Sequence, residues 1–381
     1  MIYLDYAATS FPKPDAVVRA VANTMHYCGA NPGRSGHRLS IAAGSLVMQA
    51  REALAQYLNV SDPFQIIFCL NCTDALNTAI GGVLRAGDHV VTTYYEHNSV
   101  LRPLHTLEKR GQISLSLVAP REDGRIHPED IASVLRPNTR LVVVNYVSNV
   151  TGRIQPVSQI VQLSHAHGAL CLVDGAQAAG HLPLDVGQLQ ADLVAMPGHK
   201  GLLGPQGTGV LYVREGLMLE SIRQGGTGSE SQLMLQPDDM PDRLEAGTLN
   251  LPGIAGLLAG IRFLQAHANE LHAQQAFHAD LLASGLRDIP GIQVYTPEGL
   301  AGRAGVVAFN LGQVDSGEVA DLLDRDYNIA CRAGMHCAPL VHRFLGTENQ
   351  GAVRLSVGWA TTRQEIEQCL LAVGRIAGQL G

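Results

Sequence analysis

Short aliphatic runs alternate with longer amphipathic stretches through the middle of the chain. Phe64 to Leu70 predicts a strand and Ala75 to Leu84 a helix; His89 to Thr93 and Val100 to Arg110 repeat the pair. Ser114 to Val118, Leu141 to Asn145 and Ala169 to Val173 are further β-branched or aliphatic runs. Helical stretches over Pro128 to Leu135 and Pro156 to His167 separate them. Runs that stay apolar, rather than alternating, imply strands buried on both faces. The expectation is an α/β fold built on a mostly parallel seven-stranded sheet. Its last two strands, Asp192 to Met196 and Thr208 to Val213, are joined by a Gly-rich loop. That loop is too short for a crossover helix, so the final strand is expected to be antiparallel.

Residues 224–243 are polar and rich in Gly, Asp and Pro, which suggests a loop or lid. From about Leu251 a long helical region leads into a second, smaller α/β unit. Its strands are expected at Gly305 to Leu311, Ile329 to Arg332 and Val353 to Val357, and its helices at Ser316 to Arg325 and Arg363 to Gln379. With 381 residues, one large and one small domain are expected. The division expected is 14–255 for the large domain, and 1–13 with 256–381 for the small C-terminal one.

Composition narrows the function classes. A net charge of −7 disfavours nucleic acid as a main ligand. The seven cysteines are scattered, odd in number and without a recurring CxxC pair. They suggest a reducing cytoplasm, and no metal-ligand set is read from them. Met1 to Ala8 carries Asp5 early and does not read as a signal peptide, and the apolar runs are too short to span a membrane.

The chemistry starts from Lys200 in Gly198-His199-Lys200-Gly201, downstream of the strand end Asp174-Gly175-Ala176-Gln177. A lysine and a strand-end aspartate suit pyridoxal 5'-phosphate: the lysine forms the Schiff base and the aspartate partners the pyridinium nitrogen. Thr73, in Asn71-Cys72-Thr73-Asp74, sits where a strand meets a helix, a place that binds phosphate or simply caps the helix. Gln177 and Asn149 end strands and can reach the cofactor's phenolic oxygen; either can equally be a turn residue. His97 can stack on the ring and relay protons, or be an ordinary loop histidine. His199 can bind phosphate. Cys337, in Arg332-Ala333-Gly334-Met335-His336-Cys337-Ala338-Pro339, is a candidate nucleophile, which needs partial exposure and a positive neighbourhood. His336, Arg332 and Arg354 are candidates to supply that charge. Arg354, amid apolar residues, can instead hold a substrate carboxylate in a bidentate pair.

These runs, with Leu4-Asp5-Tyr6-Ala7-Ala8, Asn31 to His37, Glu96-His97-Asn98, Ser148 to Gly152 and Glu245-Ala246-Gly247-Thr248, resemble the cysteine desulfurases. These form part of the class V aminotransferase group, fold type I of pyridoxal-phosphate enzymes. The Arg-x-Gly-x-His-Cys-Ala run resembles the second desulfurase subgroup, which includes selenocysteine lyases. The resemblance implies conversion of L-cysteine to L-alanine. Lys200 acts as base, and Cys337 takes the sulfur as a persulfide for an acceptor protein or thiol. It implies a homodimer in which Thr248 reaches the partner's cofactor phosphate. It also implies that Cys72, Thr73 and His199 sit around the phosphate and that Arg354, Arg332 and Asn149 hold the substrate. The alternatives are selenocysteine lyase, a sulfinate-eliminating or transaminating relative, and a non-catalytic sulfur carrier on the same fold. Three positions depart from the family pattern. Pro197 replaces a frequent phosphate-binding serine, Cys72 a common threonine, and Met335 a second histidine of the subgroup.

Overall fold

The computed structural model describes residues 1–32, 36–299 and 302–380; Gly33, Arg34 and Ser35 of the Asn31 to His37 run lie outside the described residues. After β1 (Ile2–Tyr3), two helices precede the sheet, α1 (Asp15–Tyr27) and α2 (Arg38–Leu58). Then follow β2 (Ile66–Cys69), α3 (Cys72–Val83), β3 (Asp88–Thr93), α4 (Asn98–Lys109), β4 (Ile113–Val118) and α5 (Pro128–Val134). They continue into β5 (Thr139–Asn145), α6 (Val157–Ala166), β6 (Leu170–Asp174), α7 (Val186–Leu189), β7 (Leu193–Pro197) and β8 (Gly209–Val213).

The sheet has seven strands in the order β2-β8-β7-β6-β5-β3-β4. β4, β3, β5, β6 and β7 are parallel, and β8 is antiparallel to both β7 and β2. β2 therefore runs with the parallel strands, and six carboxyl ends share one edge. The strands bury both faces, as their uninterrupted apolar runs require. One face packs against α2, α6 and the start of the long helix α8 (Leu251–Arg287); the other packs under α3 and α4.

α8 continues into a second core. There its later residues Ala279, Leu282 and Leu286 meet β9 (Ile292–Val294), β10 (Val306–Leu311), α9 (Ser316–Tyr327), β12 (Val353–Ser356) and α11 (Arg363–Leu380). β12, β10 and β9 form an antiparallel sheet. β11 (Ile329–Ala330), part of the expected strand Ile329 to Arg332, pairs instead with β1, and only a bridge from Arg332 to Arg354 joins β12. Leu4 is fully buried in this second core, so the N-terminus packs beside the C-terminal segment. Between β11 and β12, α10 (Pro339–Leu345) follows the cysteine loop. Among the described residues no helix is long and apolar enough to cross a membrane.

Candidate active site

Ligands of open α/β sheets bind beyond the carboxyl ends of the strands. At that edge lies a cavity of about 220 Å³. Cys72 and Thr73 reach it from the loop after β2, and His97 from the turn after β3. Asn145 and Asn149 come from the end of β5, Asp174 and Gln177 from β6, and His199 and Lys200 from β7. Arg332, His336 and Arg354 close it from the second core. The sequence-read residues are thus brought together, with two exceptions. Thr248 is exposed and does not line the cavity of its own chain. Cys337 lines an adjoining groove of about 560 Å³, which shares Thr73, His97 and Ser99 with the cavity.

Backbone contact sets the positions of Lys200 and Asp174. Gly180, after β6, has φ +80°, and a Cβ there would stand 2.1 Å from the Gly201 backbone. Only glycine permits this approach, which fixes the Lys200 turn against the Asp174–Gln177 turn. Burial lowers the Lys200 amine below its ordinary range, with Arg354 and Arg332 adding to the effect while Cys72 and Asp174 oppose it.

Asp174 is buried. Its Oδ1 accepts from the Ala176 N–H at 2.9 Å and lies 3.7 Å from the Cys72 thiol. Burial raises its carboxyl, against the opposing pull of the Ala176 N–H, Lys200 and the Cys72 thiol, and no salt bridge to it forms among the described residues. A buried carboxylate in that state is matched by a cationic ring nitrogen. α3 begins at Cys72, capped by Asn71 Oδ1 on the Asp74 N–H at 2.9 Å. The first-turn N–H groups of Cys72 and Thr73 have no partner within the helix, and both residues line the cavity, an arrangement that suits an anion. Thr73 Oγ1 lies 2.8 Å from Ser99 Oγ. Together with the unpartnered buried atoms Asn145 Oδ1, Asn149 Oδ1 and Arg354 Nε, these groups fit a pyridinium ring bearing a phosphate.

Several side chains are already engaged. Gln177 Nε2 donates to the Ala7 carbonyl at 2.9 Å, and Asn149 Nδ2 donates to the His336 carbonyl at 2.6 Å. Arg354 donates to Asp5 Oδ1 and to the Asn149 carbonyl, each at 3.0 Å, leaving Nε without a partner. His97 Nδ1 accepts from the Ser99 N–H at 3.0 Å, so its proton sits on Nε2. Burial, and then Lys200, push His97 down to about 4.

The cysteine loop corrects one expectation. His336 does not supply positive charge to Cys337. It is buried, donates from Nε2 to the Ala352 carbonyl at 2.9 Å, and burial holds it down to about 2. His336 and Cys337 both have left-handed backbones, φ +47° and +58°; His336 lines the cavity and Cys337 the groove. The Cys337 carbonyl accepts from the Asn98 N–H at 2.8 Å, which ties the loop to the first turn of α4 beside His97. Among the other cysteines, burial pushes Cys331 up to about 12 and raises Cys69, Cys72, Cys171 and Cys369. Those thiols stay protonated at neutral pH.

Sequence reading missed Asn145 and Ser99. Asn145 is paired in register with Asp174 across β5 and β6. Its terminal place on the run Leu141 to Asn145 was the available signal.

The family model for aminotransferase class-V matches residues 2–369. The chain belongs to the aminotransferase class-V family. A probable cysteine desulfurase of Methanothermobacter thermautotrophicus is 36% identical, over 99% of this chain and 95% of its own. A cysteine desulfurase of Escherichia coli O157:H7 is 33% identical, over 100% of this chain and 94% of its own. The solved apo structure of a cysteine desulfurase from Thermococcus onnurineus NA1 superposes with a TM-score of 0.94 at 33% identity. It covers 100% of this chain and 95% of that one. Within the family, the chain falls among the cysteine desulfurases, and the fold is that of the pyridoxal-phosphate enzymes of fold type I.

Proposed function

We infer that this chain is a pyridoxal-phosphate-dependent cysteine desulfurase that converts L-cysteine to L-alanine and receives the sulfur on Cys337. One observation carries this. Asp174 and Lys200 meet in a single cavity at the carboxyl edge of the sheet, and a groove holding Cys337 opens from it past His97.

The cofactor, when bound, supplies an electron sink for the charge left at the substrate α-carbon. Lys200 would hold it until the substrate amine takes its place, and the freed Lys200 amine, of lowered pKa, would then accept the α-proton; a positioned base contributes on the order of 10²–10⁴-fold. Asp174 would keep the proton on the ring nitrogen. Gln177 and Asn149 would serve the phenolic oxygen, and His97 would stack on the ring. Thr73, His199 and the first turn of α3, with Cys72, would hold the phosphate. Arg354, with Arg332 and Asn149, orients the substrate carboxylate. Cys337 Sγ bonds to the substrate sulfur as the Cβ–S bond breaks; the electron pair left on carbon takes a proton, and alanine leaves. The persulfide faces the groove, where an acceptor protein or thiol can meet it.

The proposal extends to a cytoplasmic homodimer in which Thr248 serves the partner's phosphate. It divides the chain into a large domain of 14–255 and a small domain of 1–13 with 256–381. The packing of Leu4 in the C-terminal core and the exposure of Thr248 support these assignments. Borohydride reduction of the cofactor-loaded protein followed by peptide mapping tests the chemistry. The reduced adduct is expected on Lys200, and Lys200→Ala is expected to fold yet form no alanine from cysteine. An adduct on another lysine overturns the assignment.

A further inference from the structure

Lys13 lies before α1, outside the cavity, and no carboxylate pairs with it among the described residues. Its Nζ donates to Ser10 Oγ at 2.6 Å and to the backbone carbonyl of His199 at 2.8 Å. That carbonyl belongs to the peptide joining His199 to Lys200. It also takes the Ser10 N–H at 3.0 Å, and the hydroxyls of Thr9 and Ser10 each lie 3.1 Å away.

A carbonyl oxygen has two lone pairs, so these donors compete. The Lys13 ammonium gives the shortest, charge-assisted bond, and the Ser10 N–H takes the other lone pair. The Thr9 hydroxyl has somewhere else to go: His199 Nδ1, 3.0 Å away. Burial, together with Lys200 and Lys13, pushes His199 down to about 4, so the ring is neutral and carries one N–H. When Thr9 donates to Nδ1, that N–H is on Nε2. When Thr9 donates to the carbonyl instead, Nδ1 must hold the proton to donate to Thr9, and Nε2 is a bare acceptor.

We propose that Lys13 is a positioning residue for the cofactor phosphate. By filling the His199 carbonyl it sends the Thr9 proton to Nδ1, so that His199 offers an Nε2–H donor to the anion. This rests on the functional reading above and goes beyond it, since Lys13 touches neither cofactor nor substrate. The relay runs from Lys13 through a backbone carbonyl, the Thr9 hydroxyl and the His199 ring to the phosphate end of the cavity. Losing it replaces a donor facing the phosphate with a lone pair.

Dissociation constants for pyridoxal 5'-phosphate and for phosphate-free pyridoxal, measured by equilibrium dialysis, test the relay. Lys13→Met should weaken pyridoxal 5'-phosphate roughly tenfold, the effect of one buried hydrogen bond, and leave pyridoxal unchanged. Lys13→Arg should restore most of the loss. In a Thr9→Val background, Lys13→Met should add less than about twofold, because the two act through one contact. Equal weakening of both ligands, no weakening of either, or additive losses overturns the proposal. Wild-type protein that binds neither ligand overturns the functional reading, and this inference with it.

Discussion

His97, His199, His336 and His342 are all partly or fully buried, and burial pushes them down to about 4, 4, 2 and 4 from an ordinary 6.5. His89, His181, His272 and His278 are lowered as well. Folded, these rings stay neutral; unfolded, they take protons below about 6.5. The unfolded chain therefore binds more protons across that window, and the contribution to stability is lost as pH falls from about 6.5 towards 4. Glu96 acts in the opposite sense. Burial raises its carboxyl to about 8, so its contribution is present below its ordinary 4.5 and lost as pH rises through 8. Burial raises Asp174 and Glu245 too, and they side with Glu96. The histidines outnumber these carboxylates. The midpoint of thermal unfolding should therefore fall steadily on acidification through that window. A midpoint that holds or rises contradicts the picture of neutral buried rings. At this scale, Asp174, Lys200 and Cys337 were legible because each stands at a strand end or in a Gly-containing loop. The placement of His336 was not, because its buried ring is held by the Ala352 carbonyl, a partner 16 residues away.

The strands of the large sheet were legible because they are uninterrupted aliphatic runs. The helices α1 and α2 were not read. The buried stripe of α2 is largely small, with Ala43, Val47, Ala50 and Leu54, so its contrast with the polar face is weak. Arg51 interrupts it, buried against Glu245 from a segment 194 residues away. A charge in an apolar stripe reads as an error until its distant partner is known. The Gly180–Gly201 crossing is a contact of the same kind, invisible in either turn alone. Gly180→Ala should force the Lys200 turn away from Asp174, at a cost of roughly 1–3 kcal/mol from overpacking and strain. A lower unfolding midpoint and weaker cofactor retention are expected. Unchanged values for both would show that the crossing does not position Lys200.

In the whole molecule, the site lies where two cores meet. The large sheet supplies Lys200, Asp174 and the first turn of α3; the second core supplies Arg332, Arg354 and the cysteine loop. The N-terminal segment links them, through Asp5 to Arg354 and through Thr9, Ser10 and Lys13 to His199. That stitching was beyond sequence reading, because it depends on which distant carbonyl each polar side chain meets. Placing Cys337 in the groove rather than the cavity implies a division of labour. Under the proposed function, carbon chemistry would take place in the cavity and sulfur would leave through the groove. Brief incubation of the cofactor-loaded protein with L-cysteine, followed by alkylation, peptide mapping and alanine measurement, tests this most directly. The predicted result is an extra sulfur on Cys337 formed together with alanine, and loss of both in Cys337→Ser with cofactor retained. Sulfur on Cys331 or Cys72 with Cys337 unmodified, or sustained alanine formation by Cys337→Ser, would contradict it.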